Sequence, residues 1–308
     1  MQKIIVIVGP TAVGKTDLSI KLAQKFNGEI ISGDSMQVYR QLDIGTAKIL
    51  PDEQQGIPHH LINIKDADER YSVADFVADA QTAINEISKR NKLPIIVGGT
   101  GFYIAALLNG LQLGGDYEFD SELRTELLNL VQQKGKSELL TRLQKVDSLA
   151  ASQIDTANTS RIIRAIEVME KTGHSIVEQT NHDSHIDPYI IALTTDRAVL
   201  YDRINTRVDV MMKSGLLKEA RWLFNQGGES LPAGKGIGYR EFNPYFNGNG
   251  TLEDAVAEVK KDSRHYAKRQ LTWFRNKTQV NSWYDLVAHP EELAKVETDV
   301  AKWLLTKN

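Results

Sequence analysis

A phosphate-binding motif near the start of the chain is the clearest chemical signal in the sequence. Residues 9–16, GPTAVGKT, match the pattern G-x-x-x-x-G-K-[ST]. Glycines in this pattern let backbone N–H groups point at phosphate oxygens, and the lysine neutralises phosphate charge. The final hydroxyl binds Mg²⁺. We therefore predict a phosphate loop, with Mg²⁺ as cofactor and Thr16 as its ligand. The loop consists of Gly9, Pro10, Thr11, Ala12, Val13, Gly14, Lys15 and Thr16.

The motif alone does not identify the reaction. In nucleotide hydrolases a second strand ends in an aspartate that helps to hold Mg²⁺. Here the apolar run LPIIV leads instead into GGTG, residues 98–101. The acid that follows a strand near the loop is Asp34, in IISGDS. An aspartate there could face a second substrate and accept a proton. Alternatively, it could hydrogen-bond to the ligands of Mg²⁺ or cap a helix.

Two arginines provide a second group that could bind phosphate. Arg203 and Arg207 are four residues apart on a predicted helix, so they share one face. Such a pair can close over phosphate oxygens. The alternative is a solvated face on which they pair with Asp202 or Asp209.

A basic stretch near the C-terminal end suggests RNA binding. Residues 260–277 contain seven Lys or Arg and one Asp, with Trp273 and Phe274 interleaved. Basic side chains contact phosphates, and aromatic faces stack on unpaired bases. The alternative is a charged helix face with Trp273 in the core.

The predicted strands and helices that position these residues indicate a parallel α/β fold. Residues 3–8 form an apolar strand, the loop follows, and residues 17–26 have helical spacing. GEIIS and LPIIV predict further strands, and Ser72 with Asp75 predicts a capping box at the start of a helix. We predict a P-loop NTPase-like parallel sheet flanked by helices, with the site at the strand ends.

An inserted helical subdomain is predicted in the middle of the chain. Only helical periodicity appears over residues 120–179, and strand character returns at residues 189–196. We assign residues 1–117 and 186–308 to the catalytic core and residues 118–185 to the insertion. Residues 198–225 and 251–277 each predict one long helix.

The composition excludes several classes of protein. The 308 residues carry a formal net charge of -3, contain no cysteine and include no apolar run long enough for a membrane span. Disulfides, thiolate metal sites and catalytic thiols are therefore excluded. We expect a cytoplasmic protein with no membrane partner, and a monomer is the simplest assumption.

Eight segments of the chain together closely resemble the tRNA dimethylallyltransferases. In chain order they are GPTAVGKT, SGDSMQVYRQLDIGTAK, PHHLINI, YSVADF, LPIIVGGTGFY, SRIIRAIEVMEKTGHS, GIGYREF and KRQLTWFRNK. The resemblance implies transfer of a dimethylallyl group from dimethylallyl diphosphate to N6 of adenosine 37 in a tRNA anticodon loop, with release of pyrophosphate. The absence of cysteine indicates the short bacterial form, which lacks a zinc finger. The alternatives are an adenylate isopentenyltransferase and a P-loop small-molecule kinase.

The resemblance also implies roles for individual residues. Asp34 would accept the adenine proton, Thr11 would orient Asp34 or the diphosphate, and Lys15, Arg203 and Arg207 would stabilise the leaving pyrophosphate held by residues 9–16. The implied tRNA-binding residues are Asp34, Ser35, Met36, Gln37, Thr100, Ser160, Arg161, Arg164, Lys235, Gly238, Tyr239, Arg240, Lys268, Arg269, Gln270, Trp273 and Arg275.

Several of these residues have a structural alternative. Gln37 could recognise an adenine edge or bond to the backbone, and Thr100 could be a simple turn residue. His59 and His60 are adjacent, a poor spacing for a metal site, so we expect them to be structural or to assist near the donor.

Overall fold

Six parallel strands form the sheet that carries the phosphate loop. The computed structural model describes residues 1–110, 121–178 and 185–306. The strand order is β3-β2-β4-β1-β5-β6, and every neighbouring pair is parallel. This confirms the predicted parallel α/β sheet. The strands are β1 Gln2–Val8, β2 Gly28–Ser32, β3 His59–His60, β4 Leu93–Gly98, β5 Ile186–Leu193 and β6 Ser282–Tyr284.

Helices cover both faces of the sheet, which explains why β1 is apolar at nearly every position. Successive side chains of a strand point to opposite faces, so Ile5 and Ile7 pack in one apolar cluster and Ile4 and Val6 in another. The helices of the described residues are α1 Lys15–Lys25, α2 Val73–Lys89, α3 Gly101–Leu108, α4 Ser121–Lys134, α5 Lys136–Val146, α6 Ser148–Gln153, α7 Thr159–Thr172, α8 Arg197–Lys213, α9 Leu216–Gln226, α10 Asn243–Phe246, α11 Leu252–Lys277 and α12 Leu293–Leu305.

Capping side chains fix the starts of two helices, α2 and α11. The predicted capping box of Ser72 and Asp75 is present at α2. Thr251 and Asp254 form a second box at α11, so the predicted long helix begins where the sequence indicated. Both helices therefore have defined starting points.

The single helix predicted over residues 198–225 is wrong. Two helices, α8 and α9, occupy this segment and are separated at Ser214 and Gly215. Gly215 has a φ of 106°, a conformation that side chains other than glycine rarely adopt. The preceding strand is also shifted, because β5 starts at Ile186, and Asp196 caps α8 through the N–H groups of residues 198 and 199.

The chain divides into two units, Met1–Leu108 with Ser184–Asn308, and Asn109–Asp183. The predicted boundary between residues 117 and 118 lies outside the described residues. In the second unit, α4 to α7 pack around apolar side chains that include Leu127, Leu143 and Ile166. Arg124 forms an ion pair with the buried Glu167 at 3.1 Å in the same unit.

None of the helices in the described ranges has the length and apolar character that crossing a membrane requires.

Candidate active site

A cavity of about 840 Å³ lies at the carboxyl ends of the parallel strands, where α/β folds commonly bind ligands. The phosphate loop after β1, the segment after β2 and the end of β4 all contribute to its wall. Of the predicted site residues, the cavity brings together Thr11, Ala12, Val13, Gly14, Lys15, Thr16, Asp34, Ser35, Met36, Gln37, Arg203, Arg207, Lys235, Gly238, Arg240, Arg269 and Gln270.

The phosphate loop places Lys15 at the first position of α1, directly after Gly14. Its Nζ atom donates to the carbonyls of Gly9 at 3.0 Å and Pro10 at 2.6 Å. Protein atoms surround the ammonium group closely. This burial, with a smaller contribution from Arg207, lowers the pKa of Lys15 to about 7 against the opposing effect of Asp34. A bound anion would therefore favour the protonated form of Lys15 and raise its pKa.

Both arginines of α8 reach the phosphate loop. The Nε atom of Arg203 donates to the carbonyl of Ala12 at 2.9 Å, and Arg207 lies 3.5 Å from the hydroxyl of Thr11. Burial lowers the pKa of Arg207, and Asp34 opposes that effect. Asp209, an alternative partner for these arginines, pairs instead with Lys260 at 2.6 Å. The arginine pair therefore faces the loop.

Asp34 follows β2 and is held by its own turn. Its Oδ1 atom accepts the backbone N–H of Met36 at 2.8 Å. The N–H of Ser35 donates to the hydroxyl of Thr100 at 3.1 Å. Thr100 therefore connects the GGTG turn after β4 to the turn that carries the acid. Through this contact two neighbouring strand ends fix the position of Asp34.

The side-chain amide of Gln37 is engaged within the protein. Its Oε1 atom accepts the hydroxyl of Ser32 at 3.0 Å, and its Nε2 atom donates to the carbonyl of Thr46 at 3.3 Å. These bonds correspond to the structural alternative for Gln37. The amide supports the cavity wall in this conformation.

Gln270 was expected to contact tRNA, but its side chain is buried, with 5 % exposed. Its Oε1 atom accepts the N–H of Thr11 at 3.0 Å, and its Nε2 atom donates to the carbonyl of Gly99 at 3.0 Å. Both ends of the amide are thus used to join the phosphate loop to the GGTG turn. The role of this side chain in the structure is to position the wall.

Tyr239 is the second expected tRNA contact that is buried, with 3 % exposed. Its hydroxyl donates to Glu219 at 2.7 Å. The same carboxylate accepts the N–H groups of Asp43, Ile44 and Gly45, each at 2.9 Å. Glu219 on α9 therefore holds residues 43–45, in the segment that follows Asp34, through these hydrogen bonds. Glu219 was not predicted as a site residue, because it belongs to no local motif and residues 43–45 lie 174 to 176 positions away in sequence.

The neighbours of Tyr239 do line the cavity. Lys235, Gly238 and Arg240 all contribute to its wall. Arg240 is held by Asp262 at 2.7 Å and by Glu241 at 2.9 Å. Tyr266 also lines the cavity, although it was not among the predicted site residues. Burial and the nearby Asp34 raise its pKa to about 12, so it stays protonated as a hydrogen-bond donor.

The basic helix α11 presents only part of its charge. In its first half Lys260 pairs with Asp209 at 2.6 Å and Lys261 with Glu258 at 3.0 Å, and the half-buried Arg264 donates to the amide of Asn205 at 2.6 Å. In the second half Lys268, Arg269 and Arg275 are exposed, and they form no ion pair with the described residues. Free positive charge is therefore concentrated toward the C-terminal end of this helix.

The predicted contacts Ser160, Arg161 and Arg164 lie at the start of α7, in the second unit. Ser160 and Arg161 are exposed, whereas Arg164 is half-buried and burial lowers its pKa. The first two side chains are accessible to a large ligand of this unit.

The adjacent residues His59 and His60 both form hydrogen bonds within the protein. His60 contacts the buried Glu29 at 2.7 Å, and Nδ1 of His59 bonds to the carbonyl of Ile57 at 2.8 Å. His59 also lines the cavity, and its Nε2 atom is buried with no protein partner among the described residues.

The cavity offers few protein oxygen ligands, which suits a magnesium ion that is bound mainly through substrate oxygens. Thr16 is exposed at the start of α1, and both Thr16 and Asp34 line the same cavity. Within the described ranges, no three His, Cys, Asp or Glu side chains cluster as a metal cage. Mg²⁺ commonly binds through one or two protein oxygens, waters and substrate phosphates, so Thr16 fits this pattern.

Comparisons with known proteins identify close relatives. The family described as IPP transferase matches residues 37–277. The chain is 54 % identical over 307 residues to the tRNA dimethylallyltransferase of Limosilactobacillus reuteri, covering 99 % of each chain. It is 46 % identical to the full-length tRNA isopentenylpyrophosphate transferase of Bacillus halodurans, with a TM-score of 0.74, covering 98 % of this chain and 96 % of that one.

A more distant solved structure is also similar. It is a eukaryotic dimethylallyltransferase described as acting on tRNA, which is 31 % identical, with a TM-score of 0.81. The match covers 97 % of this chain and 78 % of that chain.

Proposed function

Because the chain belongs to the IPP transferase family of tRNA dimethylallyltransferases, we propose that its cavity binds dimethylallyl diphosphate and one adenosine of a tRNA anticodon loop. The protein is a prenyltransferase that modifies tRNA. The main support for the proposed binding of both substrates is the position of Asp34, which lines the same cavity as the phosphate loop and both arginines.

The diphosphate of the donor binds to the phosphate loop. When the bond between the dimethylallyl C1 atom and oxygen breaks, its electron pair stays on pyrophosphate. Lys15, Arg203 and Arg207 then stabilise the negative charge where it develops. The contacts of both arginines with loop atoms support this role, because they put the guanidinium groups beside the phosphate position.

The adenine amine is a weak nucleophile and needs an acceptor for its proton. N6 attacks C1 of the dimethylallyl group, and the carboxylate of Asp34 takes one proton from N6. The bond from Met36 holds one carboxylate oxygen in place, which orients the acid toward the acceptor. Thr100 supports the same turn through Ser35.

Mg²⁺ is proposed to bind through Thr16 and the donor phosphates. When bound, the ion supplies positive charge that assists departure of pyrophosphate. Thr16 orients the donor from the start of α1, while Lys15 and the loop N–H groups hold the diphosphate oxygens.

The RNA side is proposed to include the wall segments beside Asp34, the turn at Lys235 and Gly238, the free basic end of α11, and Ser160 with Arg161 on α7. An anticodon-loop adenosine is unpaired, so its entry into a cavity costs less than extraction from a duplex. Activity as a monomer in the cytoplasm, where tRNA is found, completes the proposal.

A transfer assay tests this function. The protein is incubated with labelled dimethylallyl diphosphate, Mg²⁺ and unmodified tRNA, and in parallel with ATP and with free adenylate as acceptor. We expect label only on tRNA, at the N6 position. Label on adenylate, or consumption of ATP without label on tRNA, would overturn the proposal.

A further inference from the structure

An exposed aromatic side chain beside the active site has no role in the mechanism above. Phe102 is 45 % exposed on the first turn of α3. It follows Thr100 by two residues, and Thr100 supports the turn of Asp34. The ring is not part of the cavity wall, but the backbone of Phe102 directly follows the turn that supports Asp34.

Trp273 holds Phe102 in place from behind. The two rings meet edge to face, with centroids 6.3 Å apart and planes at 81°. Trp273 itself rests on Gly101, where an added Cβ atom would lie 2.2 Å from the indole Cδ1 atom. Gly101 is therefore required for this close approach. The indole Nε1 atom is buried in the contact, so Trp273 is a fixed support and Phe102 is the accessible ring.

One exposed cation on α11 lies close to the aromatic pair. Arg269 is exposed one helical turn before Trp273 and lines the cavity. Lys268 and Arg275 are also exposed, but by helical spacing they lie on other faces of α11 than Trp273, and the guanidinium of Arg275 lies 5.9 Å from the centre of the Trp283 ring. An accessible ring beside an exposed arginine matches the chemistry of a single-stranded nucleic acid, which offers base faces and phosphates together.

We propose that Phe102 stacks on an unpaired anticodon-loop nucleotide adjacent to the target adenosine, with Trp273 as its rigid support and Arg269 at the neighbouring phosphate. The inference rests on the proposed function and adds a base-stacking position to it. An RNA ligand is favoured over a protein partner because the surface combines one exposed ring with uncompensated positive charge.

The first test measures the dissociation constant of an anticodon stem-loop RNA with variants at position 102. Phe102→Ala is expected to weaken binding about 5- to 150-fold, the range for loss of one base–aromatic stack. Phe102→Trp should restore binding, whereas Phe102→Leu, which keeps apolar bulk, should not. Leu305→Ala removes another exposed apolar side chain, 83 % exposed on α12, and should bind like the wild type.

Salt dependence separates stacking from charge. Phe102→Ala removes no charge, so the slope of log affinity against log salt should equal that of the wild type. Arg269→Ala should reduce the slope by about 0.7 to 0.9. Unchanged binding by Phe102→Ala, or full rescue by Phe102→Leu, would overturn the inference.

Abasic substitutions locate the stacked base. Stem-loops that lack one base on either side of the target adenosine are compared in wild type and Phe102→Ala. At the stacked position the loss caused by the variant should disappear. An equal loss with every stem-loop would overturn the proposal and point to a protein-stability effect.

Transfer of label by the wild type is measured first. If the wild type labels tRNA but Phe102→Ala binds normally, this inference fails while the proposed function stands.

Discussion

The Oε1 atom of Gln270 accepts the backbone N–H of Thr11 at 3.0 Å, although 259 positions separate the two residues in sequence. The other end of the same amide donates to the carbonyl of Gly99 at 3.0 Å. Since Gln270 is buried, water cannot easily replace either bond. The shape of the phosphate loop therefore depends on α11, a helix that is remote in the chain.

Replacing Gln270 with Leu should leave the N–H of Thr11 and the carbonyl of Gly99 without partners. We expect the free energy of unfolding to fall by about 1–3 kcal/mol and the KM for the donor to rise. Chemical denaturation and initial-rate kinetics measure these two effects. Gln24→Leu, at an exposed glutamine, should change stability by less than about 0.5 kcal/mol. Equal behaviour of the two variants would contradict the positioning role.

Binding of inorganic pyrophosphate should depend on pH through Lys15. An anion favours the protonated lysine, so affinity should be full below the free-state pKa of about 7. Above that value, affinity should fall by up to about tenfold per pH unit until the pKa of the bound state is reached. Calorimetry in two buffers of different ionisation enthalpy should detect proton uptake at pH 8. Lys15→Arg, which stays charged, should show no such uptake from this position; proton uptake equal to that of the wild type would assign the effect to another group.

Asp34→Asn should separate proton transfer from binding. The amide oxygen can still accept the N–H of Met36, so the turn should be preserved. We expect kcat to fall about 10²- to 10⁴-fold, the usual contribution of a general base, while the KM for the stem-loop changes little. Asp68→Asn, at an exposed acid, provides the control. A parallel rise in KM with little change in kcat would indicate a binding role for Asp34.

The free basic end of α11 should account for part of the salt dependence of tRNA binding. The double variant Lys268→Ala with Arg269→Ala is expected to reduce the slope of log affinity against log salt by about 1.4 to 1.8, which is about 0.7 to 0.9 for each lost phosphate contact. Lys261→Ala changes a lysine that is already paired with Glu258, so its slope should match the wild type. Filter binding between low and moderate salt measures both. An unchanged slope in the double variant would exclude these residues from the RNA surface.

Glu29 should make stability sensitive to acid. Burial opposes its ionisation, but hydrogen bonds from Arg90, His60 and Lys92 lower its pKa from 4.5 to about 2. Because the folded-state pKa is depressed, the stabilisation is complete above pH 4.5 and is lost as the pH falls through about 2.

The comparison variant is Glu29→Gln, which should be less stable at neutral pH and lose less stability on acidification. Denaturant titrations between pH 7 and pH 3 measure this difference. Identical acid sensitivity in both proteins would contradict the assignment.

Local signals predicted much of the framework. The apolar strands and the capping box at Ser72 were predictable because each depends on neighbouring residues. The break at Gly215 was missed because the apolar spacing continues on both sides of it. A glycine in such a pattern does not reveal its positive φ.

The support of the site was harder to predict. Asp34 was identified because it follows a strand, but Glu219 clamps residues 43–45 from α9. Gln270 resembled an RNA contact because it lies in a basic stretch, and only the packing of α11 shows that its amide faces inward. Long-range hydrogen bonds of this kind leave no periodic pattern in the sequence.

The contact between Thr11 and Gln270 also has a consequence for protein synthesis. The phosphate loop leaves the ribosome early, but its partner on α11 follows 259 residues later. At about 5–20 residues per second, the interval is on the order of ten to fifty seconds. Throughout that time the nascent chain carries a phosphate loop without this support, so a competent donor site can form only near the completion of translation.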